Sequence, residues 1–274
     1  MTLVYIESET SIFETRRMKM KFINITKANI DIDGVPAIVL KPKLDMDTYP
    51  TVVFYHGWSS SKEHQEFRGS VIAGLGYQVI IPDAMHHGER GELDYAASEN
   101  SGFFWRVVLN NLNEWEKIKT YAVEQLEADP ERIAVAGHSM GGFTSAGIFT
   151  ENKDIRTCII LNGSFSWLES NEEFKRSLNV HMTKEFKELE QEIEDRNPLK
   201  SIDNLLDRPI LILHGEADSM VEITPQRDFY EKLRELHRVE GGLRMVSYKN
   251  LDHFVTTNML EEMGKWLDIK MAEV

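Results

Sequence analysis

Short apolar segments recur along the chain, and most lack the alternation of apolar and polar residues that marks a strand with one solvated face. After residue 50 they lie at Thr51–Tyr55, Gln78–Ile81, Ile133–Ala136, Thr157–Leu161, Ile210–Leu213 and Met245–Tyr248. Continuous apolar strands are typical of parallel sheets that are covered on both faces. Segments with helical spacing of apolar residues lie between them, the longest at residues 103–126. This alternation predicts an α/β fold with a mostly parallel central sheet and helices on both faces.

The chain before residue 50 has a different pattern. Apolar and polar residues alternate within residues 20–25 and 29–32, Asp33-Gly34 follows, and Val35–Leu40 is a second apolar run. An Asp-Gly pair between two such runs is a strong signal for a β-hairpin. We therefore expect an antiparallel N-terminal hairpin.

A long segment, residues 162–208, separates two of the predicted sheet strands. It exceeds an ordinary connection between strands. Near its start it has the sequence GSFSWL, residues 163–168, and it then becomes charged and helical. We interpret residues from about 162 to 207 as a small helical lid inserted into a single domain that spans residues 1–274. A long crossover helix with a solvated face is the alternative.

The sequence Gly137-His138-Ser139-Met140-Gly141-Gly142 contains the pattern G-x-S-x-G. It directly follows a predicted strand and precedes a helical segment, residues 143–149. In that setting the serine lies on a sharp strand-to-helix turn, and the flanking glycines avoid Cβ clashes. A serine hydroxyl becomes a nucleophile when a neighbouring base removes its proton. The pattern therefore predicts Ser139 as a catalytic nucleophile.

A base and an acid should follow this serine in the order acid, then histidine. Asp218 and His253 each follow a predicted strand, so both are expected at the carboxyl edge of the sheet beside Ser139. Two other acids, Glu216 and Asp252, compete with Asp218 for the role of orienting the histidine. Three further histidines end strands or lie in the serine motif, and we interpret them as ligands of the local backbone: His56, His138 and His214.

The turn His56-Gly57-Trp58 follows the predicted strand Thr51–Tyr55. A glycine at this place lets backbone N–H groups approach a substrate oxygen closely. We predict that the N–H groups of Trp58 and Met140 form an oxyanion hole. The alternative is an ordinary turn at the end of a strand.

Taken together, these motifs resemble the α/β-hydrolase superfamily. The similarity is greatest to bacterial esterases related to dienelactone hydrolase and to the catalytic domain of prolyl oligopeptidase. Three stretches, at residues 56–63, 82–90 and 129–133, carry the narrower resemblance. The resemblance implies the α/β-hydrolase fold and no cofactor. A serine stands at the nucleophile position, where dienelactone hydrolase itself has a cysteine.

Composition excludes several other classes of protein. The 274 residues carry a formal charge of −14, which disfavours binding to nucleic acid. The single cysteine, Cys158, lies in an apolar run and is interpreted as an inert core residue. No apolar segment is long enough to span a membrane, and the first 20 residues do not resemble a secretory signal, so we expect a cytoplasmic protein. Asp83 and residues 86–90 could suggest metal ligands, but we interpret Asp83 as a loop cap and predict no metal site.

The sequence as a whole predicts a carboxylesterase-like serine hydrolase that cleaves small or short-acyl esters through an acyl-enzyme. A hydrolase of small peptides or thioesters would use the same three residues. A non-catalytic ligand-binding protein on this fold is the alternative of another class, although such a protein would be expected to lack one of them. The sequence leaves the oligomeric state open.

Overall fold

A computed structural model describes residues 23–97, 100, 102–178 and 184–272, with the backbone alone at 177–178 and 184–187. Residues 20–22 of the first predicted strand lie outside this range. The strands are β1 (Ile25–Asp31), β2 (Pro36–Pro42), β3 (Tyr49–Tyr55), β4 (Gln78–Pro82), β5 (Ala128–His138), β6 (Thr157–Leu161), β7 (Ile210–Gly215) and β8 (Leu243–Tyr248). The α-helices are α1 (Glu66–Gly74), α2 (Phe103–Gln125), α3 (Met140–Glu151), α4 (Trp167–Leu178), α5 (Lys184–Asp195), α6 (Ile223–Leu236) and α7 (Thr257–Lys270). Short 3-10 helices lie at Glu63–Gln65, Gly88–Arg90 and Pro198–Asn204.

The strands form one sheet with the order β1-β2-β4-β3-β5-β6-β7-β8. The pairs β1–β2 and β2–β4 are antiparallel, and every later pair is parallel. The hairpin turn has left-handed φ values of 48° at Asp33 and 86° at Gly34. Ile32 and Val35 exchange backbone hydrogen bonds across it, which is the tight turn that an Asp-Gly pair favours. The predicted α/β-hydrolase fold, with its antiparallel N-terminal hairpin, is confirmed.

Buried apolar residues cover both faces of this sheet, which explains why its strands read as continuous apolar runs. Along β3, Val53 and Tyr55 belong to one core cluster, whereas Val52 and Phe54 belong to the other. Helices α2 and α3 complete the first cluster, and α1 and α7 complete the second. Cys158 is fully buried in the first cluster, and this burial raises the pKa of its thiol well above the usual range, as expected for an inert core residue.

Two helices begin at residues other than those that their sequences suggest. In the sequence, Thr224-Pro225 has the pattern of a capping residue followed by a proline at the first helical position. Helix α6 nevertheless begins at Ile223, and Thr224 Oγ1 donates to the Glu222 carboxylate. In the sequence, Asn258 with Glu261 three residues later has the pattern of a helix start. The structure instead caps α7 with Thr256, whose hydroxyl accepts a hydrogen bond from the N–H of Met259 at 3.3 Å. Thr256 has the extended backbone that a cap requires, whereas Asn258 is already within the helix.

Within the described residues, the segment after β6 contains α4, α5 and the 3-10 helix Pro198–Asn204. Trp167 at its start is fully buried, and its ring lies 5.2 Å from that of Trp105. Further along α4, the ring of Phe174 lies 5.2 Å from that of Phe104 on α2. This segment therefore packs on α2 through aromatic contacts. Among the described residues, no helix combines the length and the apolar character that crossing a membrane requires.

Candidate active site

Ser139 connects β5 to α3 in a strained turn. Its backbone has φ 56° and ψ −121°, and 8% of the residue is exposed. A left-handed φ at a residue other than glycine costs about 1–3 kcal/mol, so the surrounding structure must hold it. Glycines make the turn possible, since a Cβ on Gly141 would lie 2.1 Å from the carbonyl oxygen of Tyr55. The sequence motif thus raises the Ser139 side chain at the carboxyl edge of the sheet.

His253 lies in the loop after β8, and its imidazole meets the carboxylate of Asp218 from the loop after β7. Its Nδ1–H donates to the two carboxylate oxygens of Asp218 at 3.0 and 2.8 Å. The Asp218 side chain is fully buried and also accepts the N–H groups of Met220 and Val221, at 3.0 and 2.8 Å. These bonds hold the carboxylate in one orientation and leave Nε2 of His253 as a proton acceptor.

The two competing acids bond elsewhere. Glu216 accepts the hydroxyl of Ser247 at 2.7 Å. Asp252 accepts the N–H of Ser219 at 2.8 Å and the N–H of His253 at 2.8 Å. Hydrogen bonds from Ser219 and His253 lower the pKa of the Asp252 carboxyl, so it stays ionised and ties the two loops together. Of the three acids, Asp218 is the one that contacts the His253 ring.

His56 and His214 contact the backbone, as predicted, whereas His138 forms no hydrogen bond to the backbone among the described residues, contrary to the prediction. Nε2 of His56 accepts the N–H of Ala84 at 3.0 Å, and burial lowers the pKa of His56 to about 4. Nε2–H of His214 donates to the carbonyl of Val221 at 2.9 Å, and burial lowers its pKa as well. The ring of His138 lies 4.8 Å from that of His253, and burial followed by the charge of His253 keeps its pKa well below the usual range. All three are therefore held as neutral rings.

The turn after β3 runs directly beside Ser139. A Cβ on Gly57 would lie 3.3 Å from the Cβ of Ser139, so a glycine permits this approach. Neither the N–H of Trp58 nor that of Met140 donates to an acceptor among the described residues. Two unused donors next to a serine hydroxyl match the requirement for binding a developing oxyanion.

Ser139 and His253 open into one cleft of about 310 Å³. Gly57, Trp58, Arg68 and Phe254 also line it. Arg68 and Phe254 were not predicted from the sequence, because Arg68 reads as an ordinary helix-surface residue and Phe254 as a loop residue. Phe254 is 66% exposed despite its size, and this exposure beside a histidine is visible only in the fold. A larger cavity of about 550 Å³ lies beside α2 and contains none of the predicted site residues.

Asp83, which the sequence suggested as a loop cap, accepts the backbone N–H groups of Lys62 at 2.9 Å and Glu89 at 3.1 Å. Its carboxylate converges with those of Glu63 and Glu89 to within 4.8 Å, an arrangement of the kind that can bind a metal. The ammonium of Lys62 lies among them, 2.7 Å from an oxygen of each. Burial alone would lower the pKa of Lys62, but these hydrogen bonds outweigh it and raise the pKa above its usual value. A lysine thus supplies the cation at this cluster.

Comparison with known proteins gives relatives along nearly the whole chain. YitV of Bacillus subtilis, which bears the name of a predicted esterase, is 29% identical over 248 residues, covering 88% of this chain and 97% of its own. The esterase YjfP of Escherichia coli is 28% identical over 216 residues, covering 76% of this chain and 84% of its own. The crystal structure of TT1662 from Thermus thermophilus superposes with a TM-score of 0.76 at 20% identity, covering 92% of this chain and all of that one.

The sequence profile of the prolyl oligopeptidase family matches residues 63–268, about three quarters of the chain. This match includes the strand-to-helix turn at Ser139 and the two loops that carry Asp218 and His253. The predicted resemblance is confirmed, and the relatives named as esterases agree with a carboxylesterase-like hydrolase. The chain belongs to the prolyl oligopeptidase family of α/β-hydrolases.

Proposed function

We propose that the protein hydrolyses carboxylic esters through an acyl-enzyme, with Ser139 as nucleophile, His253 as general base and acid, and Asp218 as the group that orients His253. One observation carries this proposal. The Nδ1–H of His253 is bound by both oxygens of Asp218, and the same ring lines a cleft with Ser139. A nucleophile, a base and an orienting acid in this relation define the chemistry of serine hydrolases.

The reaction proceeds in two halves. The Ser139 oxygen attacks the ester carbonyl carbon while Nε2 of His253 takes the hydroxyl proton. The carbon–oxygen bond to the alcohol then breaks, and His253 returns that proton to the departing alcohol oxygen. Water next attacks the acyl carbon and gives a proton to His253. The bond to Ser139 breaks, the carboxylic acid leaves, and the proton returns to the serine oxygen.

Two further features of the site support this scheme. Asp218 fixes the tautomer of His253 and stabilises the imidazolium that forms in each half. The N–H groups of Trp58 and Met140 are proposed to bind the oxyanion of each tetrahedral intermediate. Within the described residues, Ser139 donates no hydrogen bond to His253. Catalytic hydrogen bonds of this type are often long in free enzymes and shorten when substrate binds.

The test measures kcat and kcat/KM on para-nitrophenyl esters of increasing acyl length. Ser139→Ala should lower kcat by on the order of 10⁴ or more, and a fluorophosphonate probe should label Ser139 in the wild type. Ser145→Ala is the matched control, because Ser145 lies one turn further along α3 and donates to the carbonyl of Gly141 at 2.8 Å. Labelling of another serine, or near-normal turnover in Ser139→Ala, would contradict the proposal.

The same assay tests the acid. Asp218→Asn should lower kcat far more than Glu216→Gln or Asp252→Asn, because Asp218 contacts the His253 ring and the other two do not. If Asp252→Asn is the most damaging of the three in a folded protein, the assignment of Asp218 is wrong.

Hydrolysis of small peptides is the second candidate, favoured by the family's name, and thioester hydrolysis would use the same three residues. Aminoacyl para-nitroanilides and acyl thioesters, assayed beside the ester series, compare the three bond types directly. The function of residues 162–207 as a lid is also a proposal. Its support is indirect: Phe174 of α4 contacts Phe104, whose ring lies 6.1 Å from that of Trp58 in the cleft.

A further inference from the structure

Arg68 is a charged residue in the cleft that the proposed mechanism does not use. It projects from α1, is half-buried, and lines the same cleft as Ser139 and His253. Its guanidinium donates a hydrogen bond to the side-chain oxygen of Gln65. It forms no salt bridge with any carboxylate in the described part of the chain. Burial lowers the pKa of Arg68, but a guanidinium remains charged at neutral pH.

The carboxylates nearest to Arg68 in sequence are already paired with other cations. Glu66 accepts Lys27 Nζ at 2.6 Å. Glu63 accepts Lys62 Nζ at 2.7 Å. No aspartate or glutamate is among the described residues that line the cleft. In a chain with a formal charge of −14, the cleft therefore presents one positive charge without an ionic partner.

Neighbouring side chains hold this guanidinium in place. Gln65 is 2% exposed, and its amide nitrogen donates to the hydroxyl of Ser60 at 2.9 Å while its oxygen accepts from Arg68. Because one donor of the guanidinium is used in this way, its other donors remain for a ligand. The charge of Arg68 also contributes, after burial and His253, to the low pKa of His138, the residue preceding Ser139. The cation thus acts close to the nucleophile.

A second cavity, of about 540 Å³, adjoins the cleft and has the opposite charge. It shares Ser59, Ser60 and His64 with the cleft, and it is lined by Glu63, Glu89 and Glu92. An anionic group would be repelled from that cavity and attracted to Arg68. The two cavities therefore give an anionic substrate one favoured orientation.

We propose that the preferred ester substrates of this protein carry a carboxylate and that Arg68 binds it. This inference rests on the proposed function, because it concerns the substrate of the same cleft. A planar guanidinium donates two parallel hydrogen bonds to a carboxylate, which gives both affinity and orientation. Arg68 is then the residue that determines specificity, and Ser139 carries out the same chemistry on charged and neutral esters.

The test compares pairs of esters that differ mainly by one negative charge. The first pair is the mono-para-nitrophenyl ester of adipic acid and para-nitrophenyl hexanoate, which places the charge on the acyl side. The second is para-acetoxybenzoate and para-tolyl acetate, which places it on the alcohol side. In at least one pair, Arg68→Gln should lower the ratio of kcat/KM for the anionic ester to that for the neutral ester by about 10- to 100-fold. Arg68→Lys should retain more of that ratio than Arg68→Gln does, since lysine keeps the positive charge but cannot donate two parallel hydrogen bonds to the carboxylate.

Arg234→Gln is the matched control, because Arg234 lies on α6 with its side chain 61% exposed and pairs with Glu231. It should leave both ratios unchanged. Adipate should also inhibit the wild type competitively, and more weakly inhibit Arg68→Gln. Ratios that do not change in Arg68→Gln for either pair would overturn the inference. If the wild type shows no Ser139-dependent turnover of any ester in either pair, anionic or neutral, the proposed function is overturned instead.

Discussion

Replacing Lys62 by methionine should destabilise the protein strongly, because it leaves a buried carboxylate without its cation. The Lys62 side chain is 1% exposed, and that of Asp83, 2.7 Å away, is fully buried. Removing one partner of a buried ion pair costs about 3–5 kcal/mol. Asp83 keeps the N–H groups of Lys62 and Glu89, so we expect about 3 kcal/mol. For a chain of this size, that corresponds to a fall in Tm of about 6–12 °C.

The assay is equilibrium unfolding in urea, followed by the fluorescence of the 5 tryptophans. Lys27→Met is the matched control, because Lys27 pairs with Glu66 at 2.6 Å while both side chains are about 40% exposed. This exposed pair should contribute no more than about 1 kcal/mol. Adding Asp83→Asn to Lys62→Met should recover part of the loss, since it removes the unpaired charge. A Lys62→Met protein within about 1 kcal/mol of the wild type would refute the reasoning.

Two further predictions concern buried rings. Trp167→Ala should cost about 3–5 kcal/mol in urea unfolding and leave relative activities across the ester series unchanged, because Trp167 is fully buried and lines no part of the cleft. A changed preference for acyl length would show that Trp167 acts on substrate. The free energy of unfolding should fall by about 3 kcal/mol as the pH drops from 6.5 to about 4, since unfolded His56 binds a proton near 6.5 and buried His56 near 4. His56→Gln should show a smaller fall in urea titrations at each pH, and an unchanged fall would contradict this.

The sheet could be predicted from the sequence because a strand that is buried on both faces is a nearly continuous run of apolar residues. Four of the five residues of Thr157–Leu161 are apolar, and all five are buried as β6. The turn at Asp33-Gly34 was equally predictable, since few residue pairs adopt two successive left-handed φ values. Helix starts were less predictable. Thr256 and Asn258 are both good capping residues, and the tertiary path of the backbone selects Thr256.

Some residues of the candidate site could likewise be predicted from the sequence, and others could not. The predicted nucleophile, Ser139, could be identified because a strained turn with flanking glycines is specified within a few residues. The relation of Asp218 to His253 could be expected only from their order after two strands. The role of Arg68 could not be predicted, because its surroundings come from distant elements. The carboxylate closest to it in sequence belongs to Glu66, and only the fold shows that Glu66 pairs with Lys27 on β1.

Several interactions connect the segment after β3 to the segment after β4, and two of them bear on the cleft. The first is the ion pair of Lys62 with Asp83, and the second is the hydrogen bond from the N–H of Ala84 to Nε2 of His56. The same segment after β3 carries Trp58, which lines the cleft, and Ser60, which holds Gln65 against Arg68. Protonation of Nε2 of His56 would break the hydrogen bond from Ala84, and loss of Lys62 would break the ion pair with Asp83. The groups proposed to bind the oxyanion and the substrate carboxylate are therefore positioned by interactions that also stabilise this edge of the fold. Loss of either the ion pair or the hydrogen bond should lower activity as well as stability.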